Sequence, residues 1–318
     1  MTMLHVKPRS KNLREIKVNT TPNTIIQDII NEYAKVNNNI NPNRVRLTVS
    51  SEDDESTKRP KQIVLQNDKT VQQNNLVCLN EKEATIVYAK DLGPQISWKL
   101  VFFLEYLGPL IIHPIFYFVI FPPERFNLVS LLSYILIMLH FMKREYETFF
   151  IHVFGNSTMP LFNLFKNCFH YYFLSGVLIA GTVYSPDRLR EKGGIWSYIF
   201  HVSERSNNQI IAIVFLWLIA ELSNFQCHKI LADLRNDGSK DRKIPEGFLF
   251  NYVTCPNYLC EILAFFSYAL LNGNWSSFLF LIISTTQMYF WAVKKHNDLK
   301  KRFPQYPKNR KVLVPFVI

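Results

Sequence analysis

The chain carries no paired-cysteine pattern, no HExxH, no GxGxxG and, ahead of Trp98, no long apolar run. Each absence removes a class of protein. The five cysteines (Cys78, Cys168, Cys227, Cys255 and Cys260) are odd in number and scattered, so neither a disulfide framework nor a zinc site of paired ligands is expected. Cys255 and Cys260 lack a matching second pair and read as buried apolar thiols. Eight histidines without HExxH spacing argue against a zinc hydrolase, and no metal is implied. Without GxGxxG, a Rossmann cofactor fold is not indicated. Met1–Arg9 has no apolar core segment, so no secretory signal is expected there, and the first apolar run would act as the targeting signal.

What is present divides in two. The 318 residues carry a net charge of +11, and the mean hydropathy of zero conceals a split. Residues 1–90 are polar with few aromatics, whereas nearly all long apolar runs follow Trp98. Excess Lys and Arg sits at the ends of those runs, which fits cytoplasmic loops better than a nucleic-acid surface. Two domains are expected: 1–90, soluble and cytosolic, and 91–318, membrane-embedded.

In the first domain, Leu4–Val6 and Leu13–Val18 read as a hairpin turning at Lys7–Lys11. Thr20–Pro22 is expected to start a helix whose apolar face is Ile25, Ile26, Ile29, Ile30 and Tyr33. Val45, Leu47 and Val49 alternate as a strand. Ser50–Pro60 reads as a charged, mobile loop, and Ile63–Leu65 and Thr85–Ala89 as later strands. This ββαββ order resembles a ubiquitin-like α+β domain, an adaptor without chemistry of its own.

Six apolar spans are expected next, near Trp98–Phe121, Leu128–Met142, Cys168–Tyr184, Ile210–Leu222, Leu259–Leu271 and Trp275–Val293. The fold class is thus mostly α: a multi-span transmembrane bundle of about six or seven helices behind an α+β domain. Several runs fall short of the ~20 residues a straight span needs. Pro122-Pro123-Glu124-Arg125 would end the first span, and Asn272-Gly273-Asn274 would make a tight turn between the last two. Lys143, Arg144, Lys166, Lys229, Arg235, Lys240, Arg242, Lys243 and Lys294–Arg302 would then share one side with both termini. Of two sequons, Asn156-Ser-Thr would be cytosolic and unmodified. Asn274-Trp-Ser would be luminal but too close to the bilayer for ready glycosylation.

The segment Asn224–Glu261 organises the rest, being basic and polar between apolar runs. A cationic face pinned at the end of a bundle suits a phosphate-rich ligand. Pro256 fits the first turn of a helix, and Tyr258 and Glu261, at i and i+3, would share one face. Tyr258 is either an interfacial anchor or a proton donor to a developing enolate. Tyr252 is either a second contact or packing. Glu105, a carboxylate inside an apolar run, costs about 2–3 kcal/mol to insert. It pairs with a bundle cation or lines a substrate cavity. Arg144 either anchors a helix end or binds phosphate through its planar fork. Arg235, Lys240, Arg242 and Lys243, beside Asn224, His228 and Asn257, point towards a dinucleotide.

Six runs carry a resemblance: Asp91-Leu-Gly-Pro-Gln-Ile-Ser-Trp98, Glu105-Tyr-Leu-Gly-Pro109, Gly155-Asn-Ser-Thr-Met-Pro160, Phe165-Lys-Asn-Cys168, Leu234-Arg235 with Lys243-Ile-Pro245, and Cys255-Pro-Asn-Tyr-Leu-Cys-Glu261. They resemble the very-long-chain trans-2-enoyl-CoA reductases of the steroid 5α-reductase superfamily, over nearly the whole chain. Tyr306-Pro307 and Pro315-Phe316 match the superfamily's C-terminal pattern. The resemblance implies an endoplasmic-reticulum membrane enzyme with both termini cytosolic. It would reduce the trans-2 double bond of a long-chain enoyl-CoA with NADPH, beside other fatty-acid elongation enzymes. It puts Tyr258 on the catalytic tyrosine and Glu105 on a substrate-cavity acid. It puts Asn224, Arg235, Lys243, Asn257 and Glu261 on or near cofactor positions, with His228, Arg144 and Tyr252 beside them. The steroid reductases carry an acid where His228 stands and an Arg where Lys243 stands. Rival readings are a steroid or polyprenol reductase, a membrane scaffold without catalysis, and a membrane methyltransferase.

Overall fold

A computed structural model describes residues 2–50, 62–76, 85–122, 127–155, 157–235 and 243–317. Expectations resting on Ser51–Lys61, Cys78, the Pro123–Arg125 stop, Asn156, Lys240 and Arg242 lie outside the described residues. The chain forms two compact units, Met1–Ser97 with Asn156–Asn163, and Trp98–Gly155 with Leu164–Ile318.

The first unit is a five-stranded mixed sheet under one helix. Strand β1 (Thr2–Pro8) pairs antiparallel with β2 (Ile16–Thr20), with Leu4 opposite Val18. After α1 (Ile26–Val36) come β3 (Val45–Ser50), β4 (Gln62–Val64) and β5 (Thr85–Asp91). Strand β5 lies parallel to β1, with Val6 opposite Val87, and antiparallel to β3, giving the order β2-β1-β5-β3-β4. Alternation decides the faces: Leu4, Val6, Val18, Leu47, Val87 and Ala89 point inward onto Ile26, Ile29, Ile30 and Tyr33 of α1. A helix of 11 residues is marginal alone, and this buried face holds it. Burial also pushes the Tyr33 phenol up to about 12.

Helix α1 begins at Ile26, four residues beyond the Thr20–Pro22 start signal. Thr21 N donates to Thr24 Oγ1 at 2.9 Å, closing a turn, and Ile25 is extended and bridged to Thr70. Side-chain capping of the backbone wins locally over helix extension. A two-stranded ribbon of β6 (Gln95–Ser97) and β7 (Thr158–Pro160) completes this unit.

The second unit is helical. Helix α2 (Trp98–Pro114) continues through wider π-type turns over Ile115–Ile120. Helix α3 spans Leu128–Phe150. Helix α4 (Phe162–Cys168) leads through wide turns at Phe169–Leu178 into α5 (Ile179–Val183). Two short helices follow, α6 (Asp187–Arg190) and α7 (Ile195–Ile199). The long α8 (Asn207–Asp233) starts at a capping box of Ser206 and Gln209. Then come α9 (Pro256–Asn272) and α10 (Trp275–Arg302).

Pro256 does open α9. Gly273 ends it with φ of +64°, where a Cβ would meet Ser203 Oγ at 1.9 Å. The Asn274 side chain caps α10 and donates to the carbonyls of Ile199 and His201 at 3.1 and 2.8 Å. This amide is therefore engaged within the fold. Charges at 143–147 do not end the second apolar run, expected to stop near Met142: α3 continues through them to Phe150.

Among the described residues, three helical segments are long and apolar enough to cross a membrane: Trp98–Ile120, Asn207–Asp233 and Trp275–Arg302. Their apolar residues point outward, as Val119, Ile211 and Phe215 do at 73, 66 and 62 % exposure. The protein has membrane character. Inside, Phe141, Ile137, Ile179, Tyr268 and Phe280 form an apolar core.

Candidate active site

Polar side chains recur on the inner face of three apolar helices. On α3 they are His140, Lys143, Arg144, Glu147 and Thr148, spaced to share one side. On α8 they are Glu221, Asn224 and His228. On α9 they are Asn257 and Glu261. Burying one unpaired charge is expensive, so the structure pairs them.

Two subclusters result. In the first, Arg144 Nη2 donates to the Tyr106 hydroxyl on α2 at 2.8 Å, and Nη1 contacts the Glu147 carboxylate. His228 Nδ1 lies 3.1 Å from Arg144 Nη1 and 3.0 Å from Glu147 Oε2. That single nitrogen either accepts from the guanidinium or donates to the carboxylate. In the second, His140 Nδ1 lies 2.7 Å from Glu221 Oε1 and its Nε2 3.4 Å from Glu261 Oε1. Lys143 Nζ reaches Glu221 Oε2 and Asn224 Oδ1, both at 2.6 Å. Asn224 Nδ2 donates to Asn257 O at 2.8 Å and Glu261 Oε2 at 3.1 Å.

Glu147, His152 and His228 place ligand atoms within 4.8 Å of one another. The Arg144 guanidinium already supplies the cation there, so the trio is an arginine-neutralised ion pair. His152, beyond the end of α3, is held down to about 3 by burial first and by the Arg144 and His228 charges next. Burial pushes the Cys255 thiol up to about 11, in keeping with an inert apolar cysteine.

The structure thus gathers Arg144, Asn224, His228, Asn257 and Glu261 of the expected site residues. Glu105 is buried on α2 and accepts from Asn167 Nδ2 at 2.7 Å. This hydrogen bond comes from an amide rather than a cation. Arg235 lies in the turn after α8 and donates to Val153 O. Lys243 is exposed. Tyr252 is 51 % exposed and lies near the Phe316 ring.

Tyr258 and Glu261 do not face the same neighbours. Glu261 turns to α3 and α8, whereas the half-buried Tyr258 turns to α10. There Lys295 Nζ donates to its hydroxyl at 2.8 Å, and the Trp291 ring lies 6.3 Å away. Spacing of three places two side chains on neighbouring rows, and the flanking helices decide which row each meets.

Sequence reasoning passed over Tyr106, His140, Glu221, Asn167 and Lys295 as site residues, and took Glu147 only as part of a charged helix boundary. One signal was available: His140, Arg144 and Glu147 repeat with a helical period, and Glu221 lies inside an apolar run.

The donor set suits the uncharged end of a nicotinamide nucleotide. Glu147 Oε1 is buried, accepts no hydrogen bond, and lies 3.7 Å from Lys143 Nζ. An amide or ribose hydroxyl would satisfy it. The buried cations are already matched by Glu147, Glu221 and Glu261.

Residues 157–318 match the family described as 3-oxo-5-alpha-steroid 4-dehydrogenase. A Schizosaccharomyces pombe protein named as an enoyl reductase is 45 % identical over 73 % of this chain and 76 % of its own length. The very-long-chain enoyl-CoA reductase of Dictyostelium discoideum is 41 % identical over 77 % of this chain and 78 % of its own. A Caenorhabditis elegans protein named as a very-long-chain enoyl-CoA reductase is 36 % identical over 74 % and 77 %. With a buried, ion-paired cluster inside apolar helices and relatives of this kind, the chain belongs to the 3-oxo-5-alpha-steroid 4-dehydrogenase (steroid 5α-reductase) family, among its very-long-chain enoyl-CoA reductases, and is an oxidoreductase acting on a CH–CH bond.

Proposed function

We propose that the protein reduces the trans-2 double bond of long and very-long-chain enoyl-CoA with NADPH, closing the fatty-acid elongation cycle in the endoplasmic-reticulum membrane. The observation that carries this is the desolvated cluster around Arg144, which adjoins the α9 that bears Tyr258. The relatives named as enoyl-CoA reductases support the substrate class. Asn224, Asn257, Glu147 and His228 would hold the nicotinamide–ribose end, with Glu261 fixing Asn224. Arg144 would fix that floor, and Arg235 and Lys243 would meet phosphates, with Tyr252 nearby. When bound, the reduced nicotinamide supplies the hydride that C3 of the enoyl thioester takes up. Tyr258 donates the proton that C2 takes up. Glu105, held by Asn167, lines the acyl cavity.

The membrane arrangement proposed is six spans with both termini cytosolic, beside partner elongation enzymes. Residues 1–90, the greater part of the sheet unit, are proposed as a ubiquitin-like domain, supported by the parallel central pair β1 and β5 and the single crossing helix; residues 91–318 are proposed as the reductase domain. A positioned acid contributes typically ~10² to 10⁴ in rate. Tyr258→Phe is therefore expected to lower kcat by about that factor while NADPH still binds. Saturated acyl-CoA formed by pure protein from NADPH and a long-chain trans-2-enoyl-CoA is the direct test. The family's description favours one second reading, a steroid enone substrate. Faster turnover of a steroid enone in the same assay would replace the acyl reading.

A further inference from the structure

Tyr258 is held by a residue far along the chain. Lys295 Nζ donates to the Tyr258 hydroxyl at 2.8 Å and stands 4.5 Å from the centre of the same ring. Two geometries coincide here: a hydrogen bond along the edge and a cation over the aromatic system. The residues come from different helices, the first turn of α9 and the late part of α10. Tyr258, Leu259, Tyr289 and Val312 pack against one small buried cluster of Cys255, Ala292 and Leu313, the last on the C-terminal segment. Val312 O accepts from Cys255 N at 3.3 Å, and Thr254 N donates to Lys311 O at 2.8 Å. The start of α9 is thereby fixed against the chain end and α10.

We infer that Lys295 is the positioning residue for the Tyr258 hydroxyl: it orients the phenol, balances the phenolate left by proton transfer, and passes a proton back. This rests on the reading of Tyr258 as proton donor. The bookkeeping of atoms is closed. The Tyr258 O–H bond breaks as its proton forms a C–H bond at C2, leaving the electron pair on oxygen. A Lys295 N–H proton then restores the hydroxyl, and the amine takes a proton from water. Nothing is oxidised or reduced in this leg, since the reducing pair enters as hydride at C3. An ammonium within hydrogen-bond reach favours the charged oxygen over the neutral one, and such charge-assisted bonds are about twice as strong as neutral ones.

A lysine resting on an interfacial tyrosine merely to anchor a helix would make the same contacts. The test must therefore move quantities that anchoring leaves alone. The full-length protein in nanodiscs is assayed with NADPH and a long-chain trans-2-enoyl-CoA as wild type, K295A, K295R, Y258F and the double variant Y258F/K295A. Expected are a fall in kcat of about 10- to 100-fold in K295A with both KM values unchanged, and retention within a few-fold in K295R. The double variant should be no slower than Y258F alone. Added methylammonium should restore part of kcat in K295A and none in Y258F.

A readout without turnover accompanies these. Tetranitromethane nitrates phenolate, so nitration of Tyr258 relative to exposed Tyr252 should fall in K295A, although trimming the lysine opens access to the ring. Full kcat in K295A with Y258F crippled would overturn the role of Lys295 and leave that of Tyr258 standing. A further loss in the double variant, without amine rescue, would also overturn it in favour of plain packing. Full kcat in Y258F would remove the proton-donor reading itself. If K295A does not fold, K295R against K295Q decides: equal kcat in the two overturns the inference.

Discussion

Both compact units have an apolar core, but only the helical one also buries a set of charges. In the sheet unit the interior is apolar, from Leu4 and Val6 through Ile29 to Val87, and the charges are outside. In the helical unit Val119, Ile211 and Phe215 stand outside while Glu105, Arg144, Glu147, Glu221 and His228 are inside. The first arrangement is what water selects. The second makes sense where lipid replaces water against the outer surface, since polar groups there must find partners within the protein. The sheet unit is held by transfer of apolar area. The helical unit confines a set of charges that must neutralise one another, and that confinement is what a reaction site uses.

The largest effect expected from breaking this difference is at Arg144. Arg144→Met leaves Glu147 buried without its guanidinium and frees the Tyr106 hydroxyl and His228. Removing one partner of a buried pair typically costs about 3–5 kcal/mol. Thermal unfolding in nanodiscs should show that loss, and Arg144→Met/Glu147→Gln should recover part of it. A double variant no better than the single would show that Glu147 does not depend on Arg144.

Next in size is a cavity in the other interior. Leu47 is buried between β5 and α1, and Leu47→Ala should cost about 2–5 kcal/mol. Hydrogen exchange should quicken in β1, β3 and β5 and stay unchanged in α8 and α9. Equal quickening in both units would mean that they unfold together.

A smaller change tests which solvent the helices face. Phe215, in the middle of α8, is 62 % exposed. Phe215→Asp should lower membrane insertion of α8 by about 2.5–3.5 kcal/mol, read by glycosylation mapping of an inserted reporter. Phe215→Leu should change nothing measurable. Unhindered insertion of the Asp variant would place that face against protein or water.

How much of this was legible beforehand follows from the same contrast. The alternation of Val45, Leu47 and Val49 gives the strand and its inner face directly, because strand geometry is local. The apolar runs give α2 and α9 to within a few residues and the start of α10, which runs on past the expected Val293 to Arg302. The end of α3 was not legible: Lys143, Arg144, Glu145 and Glu147 read as a boundary, yet they lie inside the helix. Partners arriving from α8, such as Asn224 on Lys143, are 81 residues away in sequence. No local pattern announces them. The start of α1 was obscured by Thr24, whose hydroxyl closes its own turn. The direction of Tyr258 was beyond reach as well, because it depends on α10 packing beside α9 and bringing Lys295 to the phenol.

The smallest expected effect separates the units by pH. His152 is held down to about 3 by burial and by Arg144, whereas an unfolded histidine titrates near 6.5. The unfolded chain thus takes up a proton that the folded site refuses. Stability of the helical unit from this residue is intact above about 6.5 and declines as pH falls from there towards 3. In the sheet unit the sign is the same but the window lies lower. Arg44 donates to Asp91 at 2.6 and 3.0 Å and holds its carboxyl below the usual range. That contribution is present above the unfolded Asp value near 3.9 and is lost only as pH drops through the lower folded value. Between pH 7 and 5, therefore, hydrogen exchange should quicken in the residues flanking His152 while β3 and β5 keep their protection. His152→Gln should flatten the first trend and leave the second untouched. An unchanged slope in His152→Gln would assign the acid sensitivity of the helical interior to another of its groups.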